Sequence, residues 1–395
     1  MNKTKKSSND NFWKIMTTII IGGTLLILAV YFGKKYKASQ KTVEITKFYN
    51  QFSDDDYIDF AKQLEASIYE NRLEEFNKKV NIASLLNFSN QELAGSYKKR
   101  TAVNFLKSYI KIGNSITNQL ARPKDFKYLN FYKKEGVPHI VFRVYRSDII
   151  NFMDFTLGIK KDKIIINDIY NFFSGVAFSE MASKLYYEAM NEENQSFEAI
   201  RKYQSVQNFI SIGDYESAYD LLKSIGIENR NDNHYGFLLI TASNLSFDLL
   251  LEVITEMKTQ FSEDERLQAY LDFHEKAITG DLKDLSAAAE HLKKYTGDDI
   301  VYDLYKGIYF YLKNEYEEAL IFFNRTIQKD PTFFDAYNYK LFSLLMLNEE
   351  EKALNVLVEL KKDFSISEET IILELQDFPE FIASEAFQNT FKNAE

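Results

Sequence analysis

Apolar and polar positions change their spacing three times along the chain, so four segments can be read in order. The first runs from Ile15 to Gly33, where IMTTIIIGGTLLILAVYFG carries no charge and is bracketed by Lys14 and Lys34. As a helix it spans about 28 Å, close to the roughly 30 Å of a hydrocarbon core. Trp13 and Tyr31 stand where interfacial aromatics are favoured. A cleaved signal peptide has a shorter apolar run and a small-residue cleavage site, whereas Lys34, Lys35, Tyr36 and Lys37 follow here. The pattern predicts a transmembrane helix over 15–33, behind a basic tail at 1–14 and ahead of a linker at 34–52.

In the second segment Tyr57, Phe60, Ala61, Leu64 and Ile68 recur at helical spacing, and a second helical stretch runs from about Glu92 to Ile116. The period then falls to two. Phe126 to Tyr132, Pro138 to Tyr145, Phe152 to Ile159 and Lys163 to Phe173 read as strands, with turn signals at Lys134-Glu135-Gly136, Arg146-Ser147-Asp148 and Lys160-Lys161-Asp162. Helices followed by a four-stranded antiparallel meander predict a small α+β domain over 53–190.

From residue 191 onward a short motif recurs. It reads Gly213-Asp214-Tyr215-x-x-Ala218, Ser246-Phe247-Asp248-x-x-Leu251, Gly280-Asp281-Leu282-x-x-Leu285, Asn314-Glu315-Tyr316-x-x-Ala319 and Asn348-Glu349-Glu350-x-x-Ala353, with starts 33, 34, 34 and 34 residues apart. Each unit reads as helix, turn and helix. Gly and Asn accept the left-handed conformation that ends a helix. The small residues Ala218, Ala319 and Ala353 allow close helix approach. The fourth unit adds Gly307-x-x-Phe310, Ala319-x3-Phe323 and Pro331.

Period and signature together resemble the tetratricopeptide repeat, with Lys306 in place of the usual Leu. The resemblance covers about 170 residues and implies an α-α solenoid over 191–367. Capping helices are expected over 368–395, where Ile371, Leu375, Phe378, Phe381, Ile382, Phe387 and Phe391 supply apolar faces. The helices and four strands before it are similar in order to the cone fold shared by nuclear transport factor and ketosteroid isomerase. The run from Lys163 to Tyr170 resembles the last strand of that superfamily.

Composition narrows the choice of chemistry. Hydrophobic residues at 45% and charged residues at 27% are ordinary globular values, and 4 Pro with 14 Gly leave few helix breakers. Cysteine is absent and the four His are far apart, so no metal site, cofactor or thiol chemistry is expected. Up to residue 47 there are nine Lys against Asp10 and Glu44, which leaves the rest of the chain at -17. A body so acidic repels phosphate backbones, and no nucleic-acid partner is expected. Lys3, Lys5, Lys6 and Lys14 precede the apolar span, and Lys34, Lys35, Lys37, Lys41 and Lys47 follow it. The charge rule is nearly tied, and retention of a short basic tail inside would place the body outside the cytoplasmic membrane.

Two functions fit this reading. The first is a non-enzymatic membrane-anchored scaffold, with the lipid bilayer as one partner and a protein or peptide held in the repeat groove as the other. Its candidate contacts are Tyr203, Gln207, Tyr305, Tyr309, Tyr337 and Tyr339, with Gly213, Ala218, Gly280, Gly307, Ala319, Phe323, Pro331 and Ala353 as structural signature positions. The alternative is a small-molecule binder or enzyme in the α+β domain. Alternation places His139, Arg143 and Tyr145 on one strand face with Asp154 and Asp168 on neighbouring strands, and the cone-fold resemblance implies an acid-base pair in a dry cavity.

Overall fold

The computed structural model describes residues 44–85, 103–104, 106–107, 111–118, 120, 122–146, 149–182, 196–227, 230, 233–364 and 366–391. The basic tail, the apolar run at 15–33 and most of the helix expected from Glu92 lie outside them. Among the described residues no helix is long and apolar enough to cross a membrane. The expected fold class is corrected: the structure is a mainly helical chain with a five-stranded antiparallel sheet and a helical C-terminal region. A single-pass membrane protein with an extracytoplasmic body, and the bilayer as partner, have no support in this structure and are set aside.

Helix α1 (Asp54–Tyr69) starts at Ser53, whose Oγ accepts from the Asp56 amide while the Asp56 carboxylate accepts from the Ser53 amide. This reciprocal cap satisfies two donors that the first turn leaves unpaired. Its apolar stripe, Tyr57, Phe60, Ala61, Leu64 and Ile68, is buried as the spacing predicts. Short helices α2 (Leu73–Lys78), α3 (Ile82–Leu85) and α4 (Ile112–Thr117) complete this layer.

The sheet follows as β1 (Phe126–Lys134), β2 (Val137–Arg146), β3 (Ile149–Ile159), β4 (Ile164–Asn171) and β5 (Val176–Ala177), paired in sequence order. Two hairpins carry consecutive residues at positive φ, Glu135 and Gly136 in one and Lys161 and Asp162 in the other. Such turns match the twist of the flanking strands. The fifth strand escapes sequence analysis because two residues show no alternation; it pairs with Tyr170 and Asn171 after a turn through Gly175, at φ +70°.

Alternation decides what each sheet face meets. Ile140, Phe142, Val144, Met153, Phe155, Leu157, Ile166 and Ile169 join Tyr57, Leu64 and Phe76 in one core beneath the N-terminal helices. Aromatic rings fill its centre: Phe126 stacks on Phe142 at 4.4 Å and Phe155 lies 4.9 Å from Phe142. The cone-fold resemblance therefore loses its functional content, because the interior that would be a cavity is packed with side chains. Val141, Tyr145, Ile150, Phe152, Tyr170 and Phe172, on the opposite face, belong to a second core that continues into the repeats.

The repeats are five helix pairs: α5 (Ser196–Ser211) with α6 (Tyr215–Lys223), α7 (His234–Leu245) with α8 (Phe247–Gln260), and α9 (Glu265–Thr279) with α10 (Leu282–Thr296). Then come α11 (Val301–Leu312) with α12 (Tyr316–Lys329), and α13 (Phe334–Met346) with α14 (Glu350–Phe364). Gly213, Asn314 and Asn348 turn between paired helices at φ +78°, +60° and +58°. Gly280 departs from this expectation: its backbone is extended, and an added Cβ would lie 2.8 Å from the Lys276 carbonyl oxygen. The second unit is shifted by one residue. Ser246 caps α8 as Asp214 caps α6, so the buried counterpart of Ala218 is Leu250 and not Leu251. Gly307 admits Phe323, whose Cε1 would be 2.4 Å from a Cβ at that position, and Pro331 is exposed in the loop after α12.

Helices α15 (Glu368–Glu374), α16 (Pro379–Ala383) and α17 (Glu385–Phe391) close the last pair. Ile371, Leu375, Phe381 and Phe387 pack with Leu341, Leu344, Val356 and Leu360 in a third core.

Candidate functional site

The sheet reaches the repeats through two buried polar clusters. Arg143 on β2 is 1% exposed, and its Nη1 donates to both carboxylate oxygens of Asp299 at 2.8 Å, while Nη2 donates to Asp330 Oδ2 at 3.3 Å. Both acids sit in loops that end one repeat and begin the next. Asp299 also accepts from the Val301 amide at 2.9 Å and so anchors the start of α11. Burial pushes the Asp330 carboxyl up, but the Thr332 hydroxyl and amide and the Arg143 charge outweigh it and hold the group below its ordinary value. The guanidinium also lies 5.0 Å from the Phe333 ring centroid.

Asp154 on β3 forms the second cluster. Tyr132 Oη donates to it at 2.6 Å, His139 Nδ1 lies at 2.9 Å, and Arg266 Nη1 donates at 3.4 Å from the first turn of α9. Arg266 lies over the Tyr170 ring at 3.6 Å, and Tyr170 Oη donates to Asp264 at 2.5 Å. Asp168 is held elsewhere: the Ser179 hydroxyl and amide donate to it at 2.6 and 3.0 Å. Burial still pushes its carboxyl up. Of the sequence candidates for catalysis, His139, Arg143 and Asp154 thus belong to joints with the repeats, Asp168 is held by Ser179 within the α+β layer, and among the described residues these four line no shared cavity there.

A groove lies instead along the first helices of four successive pairs. Leu239 and Ser243 of α7, Tyr270, His274 and Ile278 of α9, Leu304, Tyr305, Ile308 and Leu312 of α11, and Asp335 and Tyr339 of α13 line a cavity of about 360 Å³. Tyr145 and Ile150, from the strands flanking the β2–β3 turn, also line it. The volume is at the lower end of the roughly 300–1,000 Å³ of ligand pockets, which suits one or two anchoring side chains of a larger partner. Tyr305 Oη and His274 Nδ1 are 3.3 Å apart, and burial lowers the His274 pKa to about 4, so the ring is neutral near pH 7.

The six expected contact residues divide. Tyr305 and Tyr339 line the groove, the latter with its hydroxyl pushed up to about 12 by burial. Tyr203 is a core residue with its hydroxyl 3.0 Å from His234 Nδ1, and Tyr337 packs against Phe364 with ring centroids 5.3 Å apart. Gln207 is exposed on α5 and Tyr309 is half-buried beside Phe310, and neither lines the groove. Sequence reasoning assigned Tyr145 to the strand face of the alternative site and did not single out Tyr270, His274, Ile308 and Asp335 for the groove. A signal for part of the groove was present: Leu271, Tyr305 and Tyr339 are each 34 residues apart, as are His274 and Ile308. Stacking the repeats in register brings such positions together on one surface.

Asp335 has a measurable consequence for stability. Burial pushes its carboxyl up to about 7, with Arg122 opposing and Asp125 reinforcing the shift. The unfolded value is about 3.9, so between these pH values the folded chain holds the extra proton and stability falls as pH rises through the window. Asp335→Asn is therefore expected to raise the urea midpoint at pH 8 and to leave it little changed at pH 4. Equal effects at both pH values would contradict the assignment.

No protein-family model matches the chain, and no curated protein matches it. Two solved structures align with it, a MamA mutant and MamA AMB-1, at 12% and 13% identity over 43% and 45% of this chain and 99% and 98% of theirs. Their TM-scores of 0.27 and 0.26 are too low for the likeness to carry any argument here.

Proposed function

We propose that this chain is a scaffold of the tetratricopeptide type that holds a protein or peptide in the groove of its repeats. The observation that supports this most directly is the groove itself, lined mainly by α7, α9, α11 and α13, with Phe247, Leu250 and Ile254 of α8, by mostly apolar and aromatic side chains. Grooves on the first helices of stacked pairs offer a continuous surface that no single pair could build. The proposed division of the chain remains 53–190, 191–367 and 368–395. Its first two parts share one core, and Tyr145 and Ile150 of the sheet complete the groove. The scaffold reading thus applies to the whole chain, since repeats cut away from the sheet lose part of the groove wall.

The test is affinity capture with the whole chain from cells that make it. Ile308→Arg places a charge in the groove, whereas Val358→Arg alters a side chain on α14 that is already 44% exposed. Loss of the captured partner by at least about tenfold with the first, and retention with the second, is expected, since a charge forced into an apolar contact costs more than 1.4 kcal/mol. Equal capture by both variants would contradict the reading. The alternative of a ligand cavity in the α+β layer is favoured by no observation, because Phe126, Phe142 and Phe155 occupy that interior.

A further inference from the structure

Charge in the groove is confined to one residue. Among the described residues that line it there is no Lys or Arg, and Asp335 is the one acid. Its carboxylate takes no hydrogen bond from any described residue. The cation that acts on it, Arg122, is already engaged: Nε and Nη2 reach the two oxygens of Asp125 at 3.3 and 3.0 Å. The other titratable groups of the lining are Tyr145, Tyr270, His274, Tyr305 and Tyr339, none of them cationic near neutral pH.

Two further polar atoms in the lining have no hydrogen-bond partner among the described residues. Tyr145 is 3% exposed and its hydroxyl makes no hydrogen bond, and the same holds for His274 Nε2. Buried polar atoms are almost always satisfied in a finished structure. Here they lie in the same apolar groove as a carboxylate whose nearby cation, Arg122, is bonded to Asp125 instead, an arrangement that a ligand with hydrogen-bonding capacity and a positive charge would complete. An acidic ligand would instead meet Asp335 with no cation to offset it.

Resting on the groove reading above, we propose that the partner segment is apolar and carries a Lys or Arg whose cation is seated at Asp335. The acidic balance of the chain beyond residue 47 works in the same direction, drawing basic partners towards the surface. Pairing requires the ionised carboxylate, and the empty groove holds that group protonated below about pH 7. A seated cation stabilises the charged form, so affinity rises with pH through this region.

The probes are three fluorescein-labelled, amidated helical peptides of Leu, Ala and Gln, identical except for a central Lys, norleucine or Glu. Binding to the whole chain is read by fluorescence anisotropy at pH 6 and pH 8. The Lys peptide is expected to bind at least about tenfold more tightly than the norleucine peptide at pH 8, with the Glu peptide weakest, since a desolvated charge pair is worth that much or more. This preference should shrink at pH 6 and disappear in Asp335→Asn, a substitution that removes the groove carboxylate with little change in side-chain size. Equal affinities for Lys and norleucine peptides, with both lost in Ile308→Arg, would overturn the cation assignment and leave the groove standing. Binding that ignores Ile308→Arg, or no binding by any peptide, would overturn both.

Discussion

Replacement of Arg143 by Met is expected to destabilise the folded chain by about 3–5 kcal/mol, because it strands two carboxylates in a space built around a guanidinium. Asp299 is 8% exposed and receives two of the guanidinium's hydrogen bonds, and Asp330 receives a third. With the cation gone, Asp299 keeps only the Val301 amide, whereas Asp330 keeps Thr332 and the more distant charge of Lys127. The site is also the joint between sheet and repeats, so local failure propagates. Urea unfolding followed by circular dichroism should show the first transition at lower denaturant, with the remaining repeats unfolding separately. Adding Asp299→Asn to Arg143→Met should recover part of the loss, because much of the cost belongs to the orphaned charge. A cost under about 1 kcal/mol for the single variant would mean that the cluster is not a joint.

Phe323→Ala is the second large effect, expected to cost about 3–5 kcal/mol. The ring is fully buried on α12, fits the space that Gly307 leaves open on α11, and stacks on Tyr339 of α13 at 5.5 Å. Three helices of two successive pairs therefore meet on one side chain, and truncation leaves a cavity that they cannot close without moving together. Tyr339 lines the groove, so the variant should also weaken partner binding although Phe323 itself does not line it. Thermal unfolding and capture of the partner measure the two consequences. The reciprocal change, Gly307→Val, should destabilise by about 1–3 kcal/mol through overpacking, since even a Cβ would lie 2.4 Å from the Phe323 ring. Tolerance of both changes would show that the fourth pair is not packed as described.

What was legible in the sequence follows from how strongly each feature marks single positions. The repeat period was legible because Ala218, Ala319 and Ala353 must be small where two helices cross, and because Gly213, Asn314 and Asn348 must turn at positive φ. The second pair was harder to read. Ser246 lacks a left-handed turn residue before it, and the cap alone fixes its register one position away from the motif. The first four strands were legible from alternation, and the two-residue fifth was not. The expectation of a membrane helix rested on one apolar run outside the described residues, and nothing in the described helices repeats that signal.

The groove was the least legible part. Tyr305 and Tyr339 were singled out as aromatics of first helices, but so were Tyr203 and Tyr337, which are core. Helical spacing alone does not tell the face that meets the partner helix from the face that meets the next repeat. The contribution of Tyr145 and Ile150 depends on the sheet docking against the repeats. That docking rests on Arg143 meeting Asp299 and Asp330, pairs separated by 156 and 187 residues. Local pattern carries no information about such contacts. The same polar alternation that suggested a catalytic sheet face supplies, at His139, Arg143 and Asp154, the chemistry of an internal joint.

The most direct test of the groove as the partner site is site-specific photocrosslinking in living cells, with a photoreactive phenylalanine analogue at Ile308 in the groove or at Val358 on α14. The account predicts one discrete crosslinked partner from Ile308, lost when Leu304→Arg is added, and none from Val358. The same partner captured equally from Val358, or undiminished in the presence of Leu304→Arg, would contradict it.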